Sequence, residues 1–387
     1  MKIPIKYNLR SLWVRKAGTA MTALGIGLTV AIIVVITSMV SGLNSTFKTT
    51  GDPLQLVVLR KGAQNEVNSY FSRDLFDIVR VLPGIAIDAA GEPLAIGEIQ
   101  VVINPVKRDG KQSNVVVRGA SDLSFSLRPD LQIVEGRSFR KGAREIIVSR
   151  SMAQRFQNMG LGEQLIVDNN SWDVVGIFDT SGNFYNSEIW GDYDQIGQAW
   201  RRTGICTSIL LRAESAASAA ALIERIADDQ RIQLEALPQP DYFAVQSAVS
   251  SIGLVAMGTF IALIIGIGSC FAIMNMMYGA VMARQQEIAT LRALGFRRRS
   301  ILASFLSEAA ALSLLGGVVG CLLGSMFHGY SAGTTNFSAF SEVVFDFRIT
   351  PSVLLAGCAF AFVTGVLGGF LPAWRAASVN LVEVLRK

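Results

Sequence analysis

The chain has 387 residues, of which 51% are hydrophobic and 17% charged, with a mean hydropathy of +0.41. That is more apolar than an ordinary soluble protein, so a membrane protein is the first class to test. The formal net charge of +5 is concentrated beside apolar runs, which argues for membrane orientation and against nucleic-acid binding.

At the N-terminus, Tyr7 to Lys16 places Leu9, Leu12 and Trp13 on one helical face and Arg10, Arg15 and Lys16 largely elsewhere, the pattern of an interfacial amphipathic helix. Four apolar windows follow along the chain: Ala17–Val40, Ile252–Met282, Ile301–Phe327 and Pro351–Leu371. Each reaches the roughly 20 residues that span a bilayer. The first lacks an A-x-A cleavage site and exceeds a signal-peptide core, so it reads as a retained span.

Lys2, Lys6, Arg10, Arg15 and Lys16 precede the first window with no acid. The loop between the second and third windows carries Arg284, Arg292, Arg297, Arg298 and Arg299 against Glu287, and the C-terminus Arg375, Arg386 and Lys387 against Glu383. Residues 43–249 hold 21 basic against 25 acidic residues. The positive-inside rule then places both termini in the cytosol and residues 43–249 outside.

The expected fold is a membrane protein of four transmembrane α-helices plus a large α+β extracytoplasmic domain. Residues 1–42 form the amphipathic helix and first span, 43–249 the outer domain, and 250–387 a three-span domain. Within the outer domain, short β-type runs are expected at 54–59, 99–103, 115–118, 145–148, 164–167, 172–178 and 208–212. Helices are expected at 73–82, 150–158 and 215–229.

Gly316, Gly320 and Gly324 make overlapping GxxxG units, Gly317 pairs with Gly316, and Gly365 and Gly369 make another unit. Small residues at that spacing let helix backbones approach closely. Glu308 lies seven residues into the third window, where an ionised carboxylate needs a protein partner or water. It reads either as a relay group or as a structural contact to Arg292, Arg297 or a neighbouring helix; the absence of a second intramembrane acid favours the latter.

Catalytic signatures are missing. Gly110-Lys111 is followed by Gln112, so no GxxxxGK[ST] phosphate loop exists, and there is no GxSxG elbow, HExxH helix or CxxC pair. One histidine, His328, makes no metal cluster. Cys270, Cys321 and Cys358 fall within apolar windows and only Cys206 outside them, which rules out a disulfide framework. No catalytic, cofactor or metal residue is expected, and the chain is not expected to be an enzyme.

The segment Ala283–Gly295 has the apolar stripe Ile288, Leu291 and Leu294 and ends on a glycine suited to a left-handed helix cap. RQQEIATLRALGFRRRSIL, continued by FLSEAAALSLLGGVVGCLLG, resembles the permease domain of the MacB, LolC/LolE and FtsX type, the type VII ABC transporters. The opening NLRSLWVRKAGTAMTALGIGLTVA and the closing LPAWRAASVNLVEVLR are similar to the same group. EGRSFRKGAREIIVSRSMAQRF, GLGEQLIV and WDVVGIF are similar to the MacB-type periplasmic core domain.

That resemblance implies a coupling helix at about 283–295 that docks on an ATPase, with Ile288, Leu291 and Leu294 as apolar anchors and Arg284, Glu287 and Arg292 as a polar rim before Gly295. The bare residue pattern also fits a helix resting on lipid headgroups. The resemblance further implies a separate ABC ATPase subunit holding ATP and Mg, a second permease copy, a periplasmic adaptor and a bacterial inner-membrane location. The implied work is ATP-driven movement of the outer domain that exports or hands over a substrate. The rival readings are an FtsX-like signalling protein that activates a cell-wall hydrolase, and a lipoprotein-release subunit.

Overall fold

The computed structural model describes residues 16–180, 182–336 and 339–378. The N-terminal amphipathic helix expected at 7–16 lies outside these residues except for Lys16, as does the C-terminus beyond Ser378. The chain divides into a helical unit, 1–42, 254–330 and 347–387, and a sheet unit, 43–253 and 331–346. Residues 331–346, which lie inside the 250–387 segment, thus belong to the sheet unit.

The described residues contain four helices long and apolar enough to cross a membrane. They are α1 (Lys16–Lys48), α7 (Gln239–Ala283), α9 (Arg298–Ser325) and α10 (Pro351–Ala377). The third stops at Ser325, before the expected Phe327. The fourth begins where Thr350 accepts a hydrogen bond from the Val353 amide and Pro351 occupies the first turn, where a missing N–H costs nothing. A short helix, α8 (Gln285–Ala293), lies between α7 and α9.

The sheet unit is built on ten strands in one sheet. Their bounds are β1 Gln55–Arg60, β3 Ala95–Ile103, β4 Val115–Ala120, β5 Gln132–Gly136, β6 Glu145–Ser149, β7 Gln164–Val167, β8 Asn170–Asp179, β9 Glu188–Asp192, β11 Ser208–Arg212 and β12 Leu234–Pro238. The order is β12-β1-β11-β3-β4-β9-β6-β8-β5, with β7 on β8. Pairs β4–β9 and β6–β8 are parallel and the others antiparallel. Short strands β2 (Phe71–Ser72) and β10 (Ile205–Cys206) pair with each other, as do β13 (Ser331–Asn336) and β14 (Ser341–Asp346).

Strand alternation sorts the side chains into layers. Leu56 and Val58, Ile209 and Leu211, and Leu234 and Ala236 share one face, with register pairs Leu56↔Leu211 and Val58↔Ile209. Helix α6 (Ala216–Asp228) covers it with Ala219, Leu222 and Ile226, three- and four-residue spacings that form one helical stripe. Farther along, Ile99, Val101, Val117, Val148 and Ile189 build a second core with Phe156 and Trp172. The intervening positions Glu98, Gln100, Arg118 and Glu188 point to the opposite face, and all are buried.

The seven expected strands correspond to β1, β3, β4, β6, β7, β8 and β11, and the three expected helices to α2 (Arg73–Val79), α4 (Arg150–Arg155) and α6. Strands β2, β5, β9, β10, β12, β13 and β14, and helices α3 (Asp122–Ser126) and α5 (Tyr193–Ala199), fall outside the expected runs.

Candidate functional site

Helix α8 was expected to present Ile288, Leu291 and Leu294 together. Instead the helical unit's own core takes part of that stripe. Ile288 is 2% exposed and packs in a cluster with Ile273, Met277, Val281, Ile301 and Phe305, so it is not available as a docking anchor. Leu291 is half-buried, whereas Leu294 remains 68% exposed.

The expected polar rim is also divided. Arg284 Nη1 donates to Glu308 Oε2 at 3.2 Å, and Arg292 Nη1 donates to the Ala377 carbonyl at 2.7 Å at the end of α10. Two arginines thus tie α8 inward to α9 and α10. Glu308 thus contacts Arg284 at the start of α8, so the expected structural contact is made to a neighbouring helix and not through Arg292 or Arg297.

What α8 leaves outside is a single face: Gln286, Glu287, Thr290, Ala293 and Leu294 are exposed. Their spacing of one, three, three and one residues keeps them on adjacent turns of one side. The helix ends in a Schellman arrangement. Gly295 adopts φ +92°, its N–H donates to the Arg292 carbonyl at 3.1 Å, and the Phe296 N–H donates to the Leu291 carbonyl at 3.2 Å. Only glycine takes this left-handed conformation without strain. Directly beyond it, Arg297, Arg298 and Arg299 are exposed.

Along α9, the glycine row meets α1. A β-carbon at Gly316 would lie 2.7 Å from Ile26 Cβ, one at Gly324 2.6 Å from Val34 Cγ1, and one at Gly320 would overlap the Gly27 carbonyl. Neighbouring Gly317 faces α10, where a β-carbon would stand 2.9 Å from Ala361 Cβ. In return, Gly369 of α10 faces Ala309 at 2.5 Å, and Gly365 faces Ser313. The two glycine faces of α9 thus serve two different helices.

Sequence reasoning missed the most heavily charged buried site, which lies in the sheet unit. Arg118 is wholly buried and donates to Glu98 at 2.6 Å, to Glu188 at 2.7 and 2.8 Å, and to Glu66 at 3.0 Å. Arg128 donates to both oxygens of Glu98 at 2.7 Å. Gln100 and Ser208 donate to Glu66, and Trp190 Nε1 to Glu188. The Arg128 guanidinium also lies 4.7 Å from the Tyr185 ring centroid and 5.1 Å from that of Trp190, within cation–π range.

Burial pushes Glu98 up, but Arg128 and Arg118 outweigh it and hold the carboxyl down at about 2. Burial likewise pushes Glu188 up, and Arg118 only partly offsets this, so its pKa stays raised. Burial draws Arg118 down, yet Glu188, Glu66 and Glu98 lift it well above its usual value. The signal that could have revealed this site is a charged residue inside an apolar strand: Arg118 in VVVRGA and Glu98 in AIGEIQVVI. Such a charge is buried only with a partner. Among the described residues, no group of three or more His, Cys, Asp or Glu side chains could hold a metal ion.

Two family models match the chain: the MacB-like periplasmic core domain over residues 19–229, and the FtsX-like permease C-terminal over residues 258–381. The pyoverdine export ATP-binding/permease protein PvdT of Pseudomonas entomophila is 25% identical, covering 97% of this chain and 58% of its own length. The macrolide export ATP-binding/permease protein MacB of Wolinella succinogenes is 25% identical over 98% of this chain and 60% of its own. The ABC transporter permease YknZ of Bacillus subtilis is 26% identical over 71% of each chain. Among solved structures, the extracellular domain of a YknZ transporter from Gram-positive bacteria covers 47% of this chain and 99% of its own, at 13% identity and a TM-score of 0.37. The chain spans 58% and 60% of the length of the two relatives that it matches almost end to end.

Proposed function

From the premise that this chain belongs to the MacB/FtsX-type family of ABC transporter permeases, we propose that it passes the ATP-driven motion of a separate ATPase subunit to its periplasmic core domain. That motion exports or hands over a substrate outside the bilayer. ATP and Mg are held by the ATPase, a second copy of the permease completes the transporter, and a periplasmic adaptor receives the cargo. Both termini lie in the cytoplasm of a bacterial cell whose inner membrane the four helices cross.

The observation that carries this reading is the outward face of α8. Leu294 is 68% exposed on a helix that two arginines fasten to α9 and α10. A force applied to that face reaches the spans through the Arg284–Glu308 and Arg292–Ala377 bonds instead of being lost in a loose loop. Helices α1 and α7 each supply residues to both units, which offers a covalent route onward. The ATPase shifts the permease only as far as its nucleotide states differ in affinity for the two arrangements of α8.

The test is co-purification of the full chain with candidate ABC ATPase subunits that lack a fused permease, together with ATPase activity in nanodiscs. Leu294→Asp places a charge in the docking face, and both complex and activity should fall at least tenfold while membrane insertion is kept. Unchanged binding and turnover would remove the coupling role. Pyoverdine and macrolides, named for two relatives, are the first cargoes to assay.

A further inference from the structure

A cavity of about 440 Å³ opens on the sheet unit among α2, β3 and the segment that begins at Asp192. Its floor is apolar: Phe76, Ala95, Ile96, Ala120 and Phe139 line it, and all five are buried. Charged side chains stand around that floor. Arg73 and Asp194 pair at 3.4 Å and Arg80 and Glu92 at 3.5 Å, so those four largely neutralise one another. What remains in the lining is Lys141 against Asp88, Asp122 and Asp192, and none of these four makes an ion pair among the described residues. Burial separates them further: Asp192 is 5% exposed and Asp88 half-buried, whereas Lys141 is exposed to solvent. One Asp192 oxygen caps α5 by accepting from the Gln195 amide at 3.2 Å, and Asp88 Oδ1 accepts from the Ala90 and Glu92 amides at 2.8 and 2.9 Å. Those bonds fix both carboxylates and leave the other oxygen of each without a donor among the described residues.

We propose that this cavity binds a small organic cation, an ammonium group carried on an apolar or aromatic body. The volume falls in the range of small-molecule sites, which pair an apolar lining with a few placed polar groups. Asp192, the most buried of the three aspartates, accepts from the ammonium, Asp88 and Asp122 add to the negative potential of the cleft, and Phe76 and Phe139 hold the body. An anion would meet three unpaired carboxylates with one solvent-exposed lysine to oppose them. A neutral molecule of the same shape would cover Asp88 and Asp192 without replacing their water. A bare metal ion needs converging ligands, and among the described residues no group of three or more His, Cys, Asp or Glu side chains could hold one.

This adds a ligand site to the transport reading without resting on it, because binding is measured with no ATPase present. Full-length protein in phosphatidylcholine nanodiscs is titrated with phenethylamine by calorimetry, with empty nanodiscs as the blank, and saturable binding is expected at or below millimolar concentration. Phenethyl alcohol, the neutral isostere, and hydrocinnamate, the anion, should bind roughly tenfold more weakly or worse. Asp192→Asn, which keeps an oxygen to cap α5, and Asp122→Asn should each weaken the amine, whereas Lys141→Gln removes the opposing charge and should tighten it about threefold. Asp122 and Lys141 are exposed, so the melting curves of those two variants should match the parent. Hydrogen exchange should show protection by the amine at residues 88–97 and 119–124. The proposal is overturned by no saturable binding, by equal binding of the alcohol, by unchanged binding in both aspartate variants, by weaker binding to Lys141→Gln, or by protection confined to other segments.

Discussion

In the sheet unit, Arg118 and Glu98 are both completely buried and Glu188 is 1% exposed, held by one another within hydrogen-bond distance. In the helical unit, the comparable pair Arg284–Glu308 has side chains 14% and 9% exposed, while the C-terminal part of α9 is packed by Gly316, Gly320 and Gly324. The sheet unit has a second face broad enough to enclose a charge network with aromatic rings around it. Long apolar helices have no such shelter. A membrane offers no hydrophobic drive between helices, so close backbone contact carries the association. One unit is therefore specified by polar satisfaction and the other by small residues.

That contrast is open to attack at several points. The largest effect is expected for Arg118→Met, which leaves Glu66, Glu98 and Glu188 without their shared cation. Breaking a buried pair in this way costs about 3–5 kcal/mol. Trp190, whose ring centroid lies 5.8 Å from the guanidinium, should report this in denaturant unfolding of the full chain. A loss under about 1 kcal/mol would mean that the network does not specify the unit.

Next comes pH. The folded-state pKa of Glu98 is depressed from 4.5 to about 2, so its stabilisation is present above 4.5 and is lost as pH falls from 4.5 towards 2. That shift corresponds to about 3 kcal/mol. Glu188 has the opposite sign: its raised pKa means that its ionised form costs stability, which is regained as pH falls through the folded value towards 4.5. Glu98→Gln should remove the acid limb of the stability profile. Glu188→Gln should flatten the limb above 4.5 and leave the acid limb. Identical profiles for parent and both variants would contradict the network.

In the helical unit, Gly320→Ala forces a methyl against the Gly27 carbonyl and should destabilise by about 2 kcal/mol through overpacking. Gly268→Ala, with nothing within 4 Å of the added carbon, should change little. Equal melting shifts for the two would show that α9 does not rest on α1 through this glycine. A double-mutant cycle on Arg284→Ala and Glu308→Ala should then give a coupling of about 1.5 kcal/mol; additivity would dissolve the tie. Smallest in stability is Leu294→Asp, within about 0.5 kcal/mol as an exposed substitution, although its effect on ATPase coupling is expected to be large.

The spans were legible because length and hydropathy suffice to identify them, and seven strands were legible because they are short runs rich in apolar and β-branched residues. Strand β9, EIWGD, was missed because five residues with charges at both ends resemble a loop. The hairpin of β13 and β14 was missed because SAGTTN carries almost no apolar pattern; its partner strand β14 supplies the buried Val343, Val344 and Phe345. In α8, the apolar stripe was visible, but a stripe does not say whether it meets the molecule's own core or another chain. Ile288 went to the core and Leu294 did not.

Local chemistry alone determined the four apolar helices, the charged flanks beside them, and the cap at Gly295, because each depends on residues close in sequence. Tertiary structure decided which helix each glycine face of α9 meets, that Glu308 pairs with Arg284, and that Arg118 gathers three glutamates from distant segments. Those outcomes depend on which surfaces are brought within a few ångströms of each other. Residue spacing along one element cannot encode that, because a buried charge or a glycine row fits any partner that offers complementary atoms.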